Sequence, residues 1–294
     1  MAHMPYQRTA VRLLLAVVSC VSISPAQQAR TAPPPAILEI YRDPVKPAKM
    51  VEYARIEGEA ALACTRAGTW PYLTLQAITG PQVEVWYVEG FDSYASVEHS
   101  SGAFIRNAAL GSELNRLMDA KANLVGDARV VFAHYRDDLS SNMELVQPRA
   151  RFFTVTLVTV RPGHEREFEE IHRTLKLLRQ KAGAADNRVV YQIASGMPKN
   201  IYLIFSAHRS LQDAGIALDP AVDDYTLDVD ESTRNRLDDY TRVAVQSSET
   251  WLFSVNPAMS NPAGEWIADD PEFWRSSPPL QRQAPPKKAA ESPR

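Results

Sequence analysis

One passage of this chain occurs twice, and that repetition constrains the fold more than any other feature. Residues 151–173 (RFFTVTLVTVRPGHEREFEEIHR) read as a strand, a Pro-Gly corner and the start of a helix. Residues 37–57 (ILEIYRDPVKPAKMVEYARIE) make the same sequence of moves 115 positions upstream. At that offset Pro47 falls on Pro162, Glu52 on Glu167 and Ile56 on Ile171, while Lys46/Arg161, Ala48/Gly163 and Tyr53/Phe168 are conservative pairs. Self-similarity at a fixed spacing marks an internal duplication, and each copy must then be one supersecondary unit.

The pattern after each opening completes the unit. In the first copy, apolar residues at helical spacing over 49–67 are closed by Gly68, and Tyr72–Thr79 and Gln82–Val88 alternate as a hairpin around Gly80-Pro81. A short helix (91–99), a longer one (103–122) and the strand Arg129–Tyr135 follow. The second copy repeats this with a strand over 150–160, a helix over 165–181 and a hairpin around Gly196-Met197-Pro198. Helices over 210–218 and 229–245 and a last strand, Thr250–Val255, close it. Gln76 and Gln192 each lie four residues before the hairpin glycine. Each copy therefore reads β-α-β-β-α-β, and the expected fold class is α+β, two tandem ferredoxin-like repeats. The expected organisation is a signal peptide (1–26), a Pro-rich linker (27–36), the first repeat (37–139), a linker (140–149), the second repeat (150–257) and a largely disordered Pro-rich tail (258–294), in which Trp266, Phe273 and Trp274 are able to dock on the body.

A ferredoxin-like unit leaves one sheet face bare, and burying apolar area at roughly 25 cal/mol per Å² favours packing the two bare faces together. At this point the chain resembles the dimeric α/β-barrel superfamily, which includes the antibiotic-biosynthesis monooxygenase and NIPSNAP-like groups. The openings Tyr41–Pro47 and Val160–His164 and the two hairpins carry the resemblance. It implies an intramolecular version of that barrel, monomeric by default with a dimer as the alternative. It also implies a range of activities: cofactor-free oxygenases, haem enzymes, isomerases and proteins without a known reaction.

The first residues read as an address. Arg8 and Arg12 precede the apolar run 13–23, too short to span a bilayer at ~20 residues, and Ser24-Pro25-Ala26 offers a cleavage site. Export to the periplasm or medium is expected, with no transmembrane segment in the mature chain. Val17-Val18-Ser19-Cys20 gives the alternative of a lipoprotein anchored through Cys20. A net charge of −3 offers no basic field for nucleic acid. The six histidines show no metal-ligand spacing, and no nucleotide, zinc or nucleophile-elbow motif is present. No metal and no cofactor are expected.

The candidate site follows from strand alternation. Taking the polar alternates as interior, His134 is the expected proton acceptor, near neutral in its titration. Glu39 or Glu84 would orient it. Tyr41, Gln76 and Trp86, with Gln192 and Tyr202 from the second repeat, would hold the ligand. Two functions fit: an exported protein that binds a small molecule or partner through its barrel, or a cofactor-independent oxygenase or isomerase acting on a small aromatic or polyketide-like substrate.

Overall fold

The computed structural model describes residues 33–80, 83–141, 149–182, 187–219 and 229–275. The expected signal peptide, Cys20 and the run 276–294 lie outside the described residues. Strand β1 (Ile37–Pro44) turns through Pro47 and Ala48, whose φ of 60° is left-handed, into helix α1 (Met50–Ala67). Helix α1 stops at Gly68, left-handed at φ 62°, as a C-terminal glycine cap does. Strands β2 (Tyr72–Ala77) and β3 (Glu84–Phe91) follow. Next come helices α2 (Tyr94–Arg106) and α3 (Ala108–Lys121), divided at Asn107, whose side chain caps α3 by accepting from Leu110 N. Strand β4 (Arg129–Tyr135) ends this half.

The second half begins with β5 (Phe152–Val160), turns at Gly163 (φ 90°) and continues into α4 (Glu165–Ala182). It continues through β6 (Arg188–Ser195), β7 (Ile201–His208), α5 (Leu211–Leu218), α6 (Glu231–Ala244) and β8 (Val245–Val255). Strand β8 starts five residues earlier than the sequence pattern suggests, because its polar first half still pairs with β5. After a 3₁₀ turn (Pro257–Met259) come two short helices, α7 (Gly264–Asp269) and α8 (Pro271–Arg275). The expectation of a largely disordered tail from 258 is thus corrected for 258–275, which fold because Trp266, Ile267, Phe273 and Trp274 pack on the core.

The eight strands form one closed antiparallel barrel in the order β1-β3-β2-β8-β5-β7-β6-β4. Tyr41 pairs with Tyr87, and Thr156 with Ile204. Gln76 lies opposite Val85 and Gln192 opposite Tyr202, so the two glutamines hold matching places beside their hairpins. Closure comes from β2 with β8 and β4 with β6. Every strand then has two neighbours, which removes exposed edges.

An eight-stranded barrel is just wide enough for its interior to be filled by side chains. Leu38, Ile40, Trp86, Val155, Tyr191, Phe205 and Phe253 are among those that fill this one. Trp86 packs on Phe253 with ring centroids 4.8 Å apart. On the outside, Tyr53 and Ile56 of α1 and Leu117 of α3 cover Val85 and Tyr87, while Phe168 of α4 covers Val158, Val190 and Tyr202. At the end where β5 begins, α7 and α8 form a plug. Arg151 stacks over Phe273 at 3.7 Å and ion-pairs with Asp270. No described helix is long and apolar enough to cross a membrane.

Candidate functional site

The barrel's other end is open. A cleft of about 320 Å³ lies where β1 and β5 end and β3, β4, β7 and β8 begin, lined by Arg42, Glu84, Arg129, Leu157, Met197 and Trp251 among others. At its centre, Arg42 Nε donates to Glu84 Oε1 at 2.6 Å, and Trp86 Nε1 donates to the same oxygen at 2.9 Å. The Arg42 guanidinium lies 4.6 Å from the Trp86 ring centroid and 5.5 Å from that of Trp251. Its Nη1 reaches Met197 Sδ at 3.3 Å, and Nη2 has no hydrogen-bond partner among the described residues. Both side chains are withdrawn from solvent, 11% exposed for Arg42 and 4% for Glu84.

The backbone around the cleft is built to hold this arrangement. Gly80 of the β2–β3 hairpin has φ 133°, and a Cβ there would press on the Trp251 ring at 3.2 Å. Gly196 (φ 83°) sets Met197 over Arg42, and any side chain at 196 would overlap the Val130 carbonyl. Only glycine meets both demands.

The two halves contribute unequally. Arg42 pairs in register with Trp86, and at the matching places in β5 and β7 Leu157 pairs with Leu203. Pro44 pairs with Glu84, and Thr159 with Ile201. The first half therefore gives the cleft its charged wall, with Arg42, Glu84, Asp127 and Arg129, while the second half brings Leu157, Met197, Ile201 and Trp251 beside Thr159, Ser247 and Glu249.

Of the eight residues named from sequence, only Glu84 lines this cleft; Trp86, fully buried in the barrel core, reaches it through its bond to Glu84. The expected interior placement of Glu39 and Tyr41 is corrected: Leu38 and Ile40 of the same strand join the barrel core. Glu39 and Tyr41 lie on the outer face, where Tyr41 Oη donates to Glu39 Oε1 at 2.8 Å. Glu39 stands opposite Glu89, and burial followed by the charge of Glu39 lifts the Glu89 carboxyl to about 8. His134 is also outside, exposed and joined to Tyr94 Oη through Nε2 at 2.9 Å. Gln76 accepts from Asn256 Nδ2 at 3.1 Å, away from the cleft lining. Gln192 and Tyr202 belong to an outer network around Arg136: Arg136 Nη1 donates to Gln192 Oε1 at 2.8 Å and to Glu169 Oε1 at 2.6 Å, and Tyr202 Oη donates to Glu169 at 3.1 Å. In the same network Arg136 is the main influence holding Asp138 down to about 2.

Arg42, Leu157, Met197 and Ile201 were not found by choosing polar alternates. The signal that would have found Arg42 was the opposite strand phase. In I-L-E-I-Y-R, the residues in step with Leu38 and Ile40 include the arginine. A closed barrel selects that apolar phase for its interior.

No family model matches the chain, and no curated protein matches it. Several solved structures align with the chain at low similarity. A Fusobacterium nucleatum protein assigned as a monooxygenase is 15% identical over 76% of this chain and 93% of its own, with a TM-score of 0.49. An anthrone oxidase-like protein is 13% identical over 75% and 92%, at 0.45. A mutant chlorite dismutase from Candidatus Nitrospira defluvii, in complex with cyanide, is 7% identical over 76% and 92%, at 0.46. At these values the likenesses fix neither family nor chemistry.

Among the described residues no group of three or more His, Cys, Asp or Glu is placed to hold a metal ion. A nearly enclosed cation with unfilled donors lies against two indoles, with Leu157 and Ile201 also in the cleft lining.

Proposed function

We propose that this chain is an exported, monomeric protein that binds one small molecule at the open mouth of its barrel. The barrel is read as two fused ferredoxin-like repeats, an intramolecular form of the dimeric α/β barrel. Three features support the duplication. The matched corners at Pro47-Ala48 and Pro162-Gly163 are both left-handed, the fully buried Tyr53 and Phe168 occupy equivalent positions, and the strand order is the same in each half. Export rests on the sequence of residues 1–26.

The observation that carries the binding reading is the cleft itself: about 320 Å³, with Arg42, Trp251, Leu157 and Ile201 in its walls, at the lower end of the size range of small-molecule sites. Binding is preferred to turnover because the oxygenase or isomerase reading required His134 in the cavity, and its ring lies on the outer face. The buried acid of the cleft lining, Glu84, is already engaged by Arg42 and Trp86.

Titration calorimetry with a set of small aromatic compounds tests this. We expect saturable one-to-one binding that disappears in Thr159→Trp, where an indole would fill the cleft. Undiminished binding in that variant would place the ligand elsewhere on the molecule.

A further inference from the structure

We infer that the ligand is an amphiphilic organic anion, a carboxylate or sulfonate on a flat apolar body, held head-first by Arg42. This rests on the binding reading above and names its ligand class.

The charged wall decides the head group. Arg42 is nearly enclosed, yet its end-on edge is underused: Nη1 meets only a thioether sulfur, and Nη2 meets nothing among the described residues. A planar guanidinium edge of this kind matches a carboxylate or sulfonate, with charge-assisted bonds stronger than neutral ones. A thioether is a weak acceptor, readily displaced by an oxyanion.

A cationic ligand fits less well, although Glu84, Asp127 and Glu249 also line the cleft. One oxygen of Glu84 already accepts two bonds. Glu249 Oε2 accepts from Trp251 Nε1 at 3.3 Å. Both indoles already carry the Arg42 guanidinium, so a second cation approaching those rings would meet like charge. Asp127 and Arg129 are both exposed, opposite in sign and two residues apart, so they contribute little net field.

The aliphatic wall decides the body. Leu157 and Ile201 face the charged wall from the second half and offer no partner for a polar group. The Trp251 ring, beside Gly80, adds a flat surface. The ligand therefore lies with its anionic end on Arg42 and its apolar part against Leu157, Ile201 and Trp251. Because Leu157 stands where a second arginine would be, one ligand binds per chain in one orientation.

The experiment compares matched probes by calorimetry: phenylacetate with phenylacetamide, 1-naphthoate with 1-naphthamide, and phenethylamine as the cation. We expect each acid to bind at least tenfold more tightly than its amide, with affinity falling as salt rises. The double variant Arg42→Met/Glu84→Gln, which avoids an unpaired buried carboxylate, should erase the difference between acid and amide. Its thermal melt and far-UV spectrum check that it folds. Leu157→Ala, which keeps Arg42 in place, should weaken naphthoate more than phenylacetate while keeping the preference for acid, and it serves if the double variant does not fold. Equal binding of acid and amide, or tighter binding of phenethylamine, would overturn the anion class and leave the cleft reading standing. Absence of binding by every probe would remove both.

Discussion

Glu89 shows how a single side chain ties this fold to pH. Its carboxyl is lifted from 4.5 to about 8, first by burial and then by Glu39 across the β1–β3 ladder. Burial lifts Glu39 in the same direction, partly offset by the Tyr41 hydrogen bond, and Tyr72 and Cys64 are its other titratable neighbours. An acid whose pKa is higher folded than unfolded binds more protons in the native state. Its contribution is complete below pH 4.5 and is lost as pH rises through about 8. The wild type should therefore lose on the order of 2–4 kcal/mol between those limits from this group. Glu89→Gln, neutral at every pH, should flatten most of that slope. Urea midpoints measured from pH 5 to 9 check this, and parallel slopes for both proteins would contradict it. At the mouth, Arg42 and Glu84 follow another logic: each is tolerable in the barrel only because the other is there, and loss of one partner of a buried pair costs roughly 3–5 kcal/mol.

The two corners carry the clearest message at the scale of elements. Ala48 and Gly163 occupy equivalent left-handed turns, with φ of 60° and 90°. A side chain in that region costs about 1–2 kcal/mol. Ala48→Gly should accordingly raise stability by about 0.5–1 kcal/mol, and Gly163→Ala should lower it by about 1 kcal/mol, in denaturant titrations. These corners, the hairpin glycines and most strand and helix positions were legible in the sequence, because they are set by local chemistry: proline, glycine and apolar period. Asn107 was less legible. It divides one helical pattern into α2 and α3 by a side-chain cap that leaves the apolar period almost unbroken. The strand faces are ambiguous in the sequence for a different reason. Alternation identifies two faces and does not say which one a closed barrel will enclose, so choosing the polar phase turns Glu39, Tyr41 and His134 inward and Arg42 outward. Only the packing of Leu38, Ile40 and Ala133 into a shared interior resolves that choice.

The whole molecule is a barrel with unlike ends. One is plugged by α7 and α8, and the other opens on Arg42. The docking of Trp266, Phe273 and Trp274 was anticipated from composition, but the short helices carrying them were not, since neither is long enough to show a period. Distant sites act independently to a good approximation. Trp274→Ala should therefore cost about 3 kcal/mol in stability, and should leave the affinity for naphthoate within about twofold of wild type. A large loss of affinity in that variant would mean that the plug and the mouth are coupled.

The five tryptophans are distributed so that one spectrum tests the central claim. Trp251 lines the mouth and Trp86 lies buried against Arg42, Trp266 and Trp274 are at the plugged end, and Trp70 is outside the barrel on Phe91. In the fluorine NMR spectrum of protein labelled with 5-fluorotryptophan, titration with 1-naphthoate should move the Trp86 and Trp251 resonances and leave the other three in place. Movement of Trp266 and Trp274, or of Trp70, with Trp86 and Trp251 unchanged would contradict binding at the mouth.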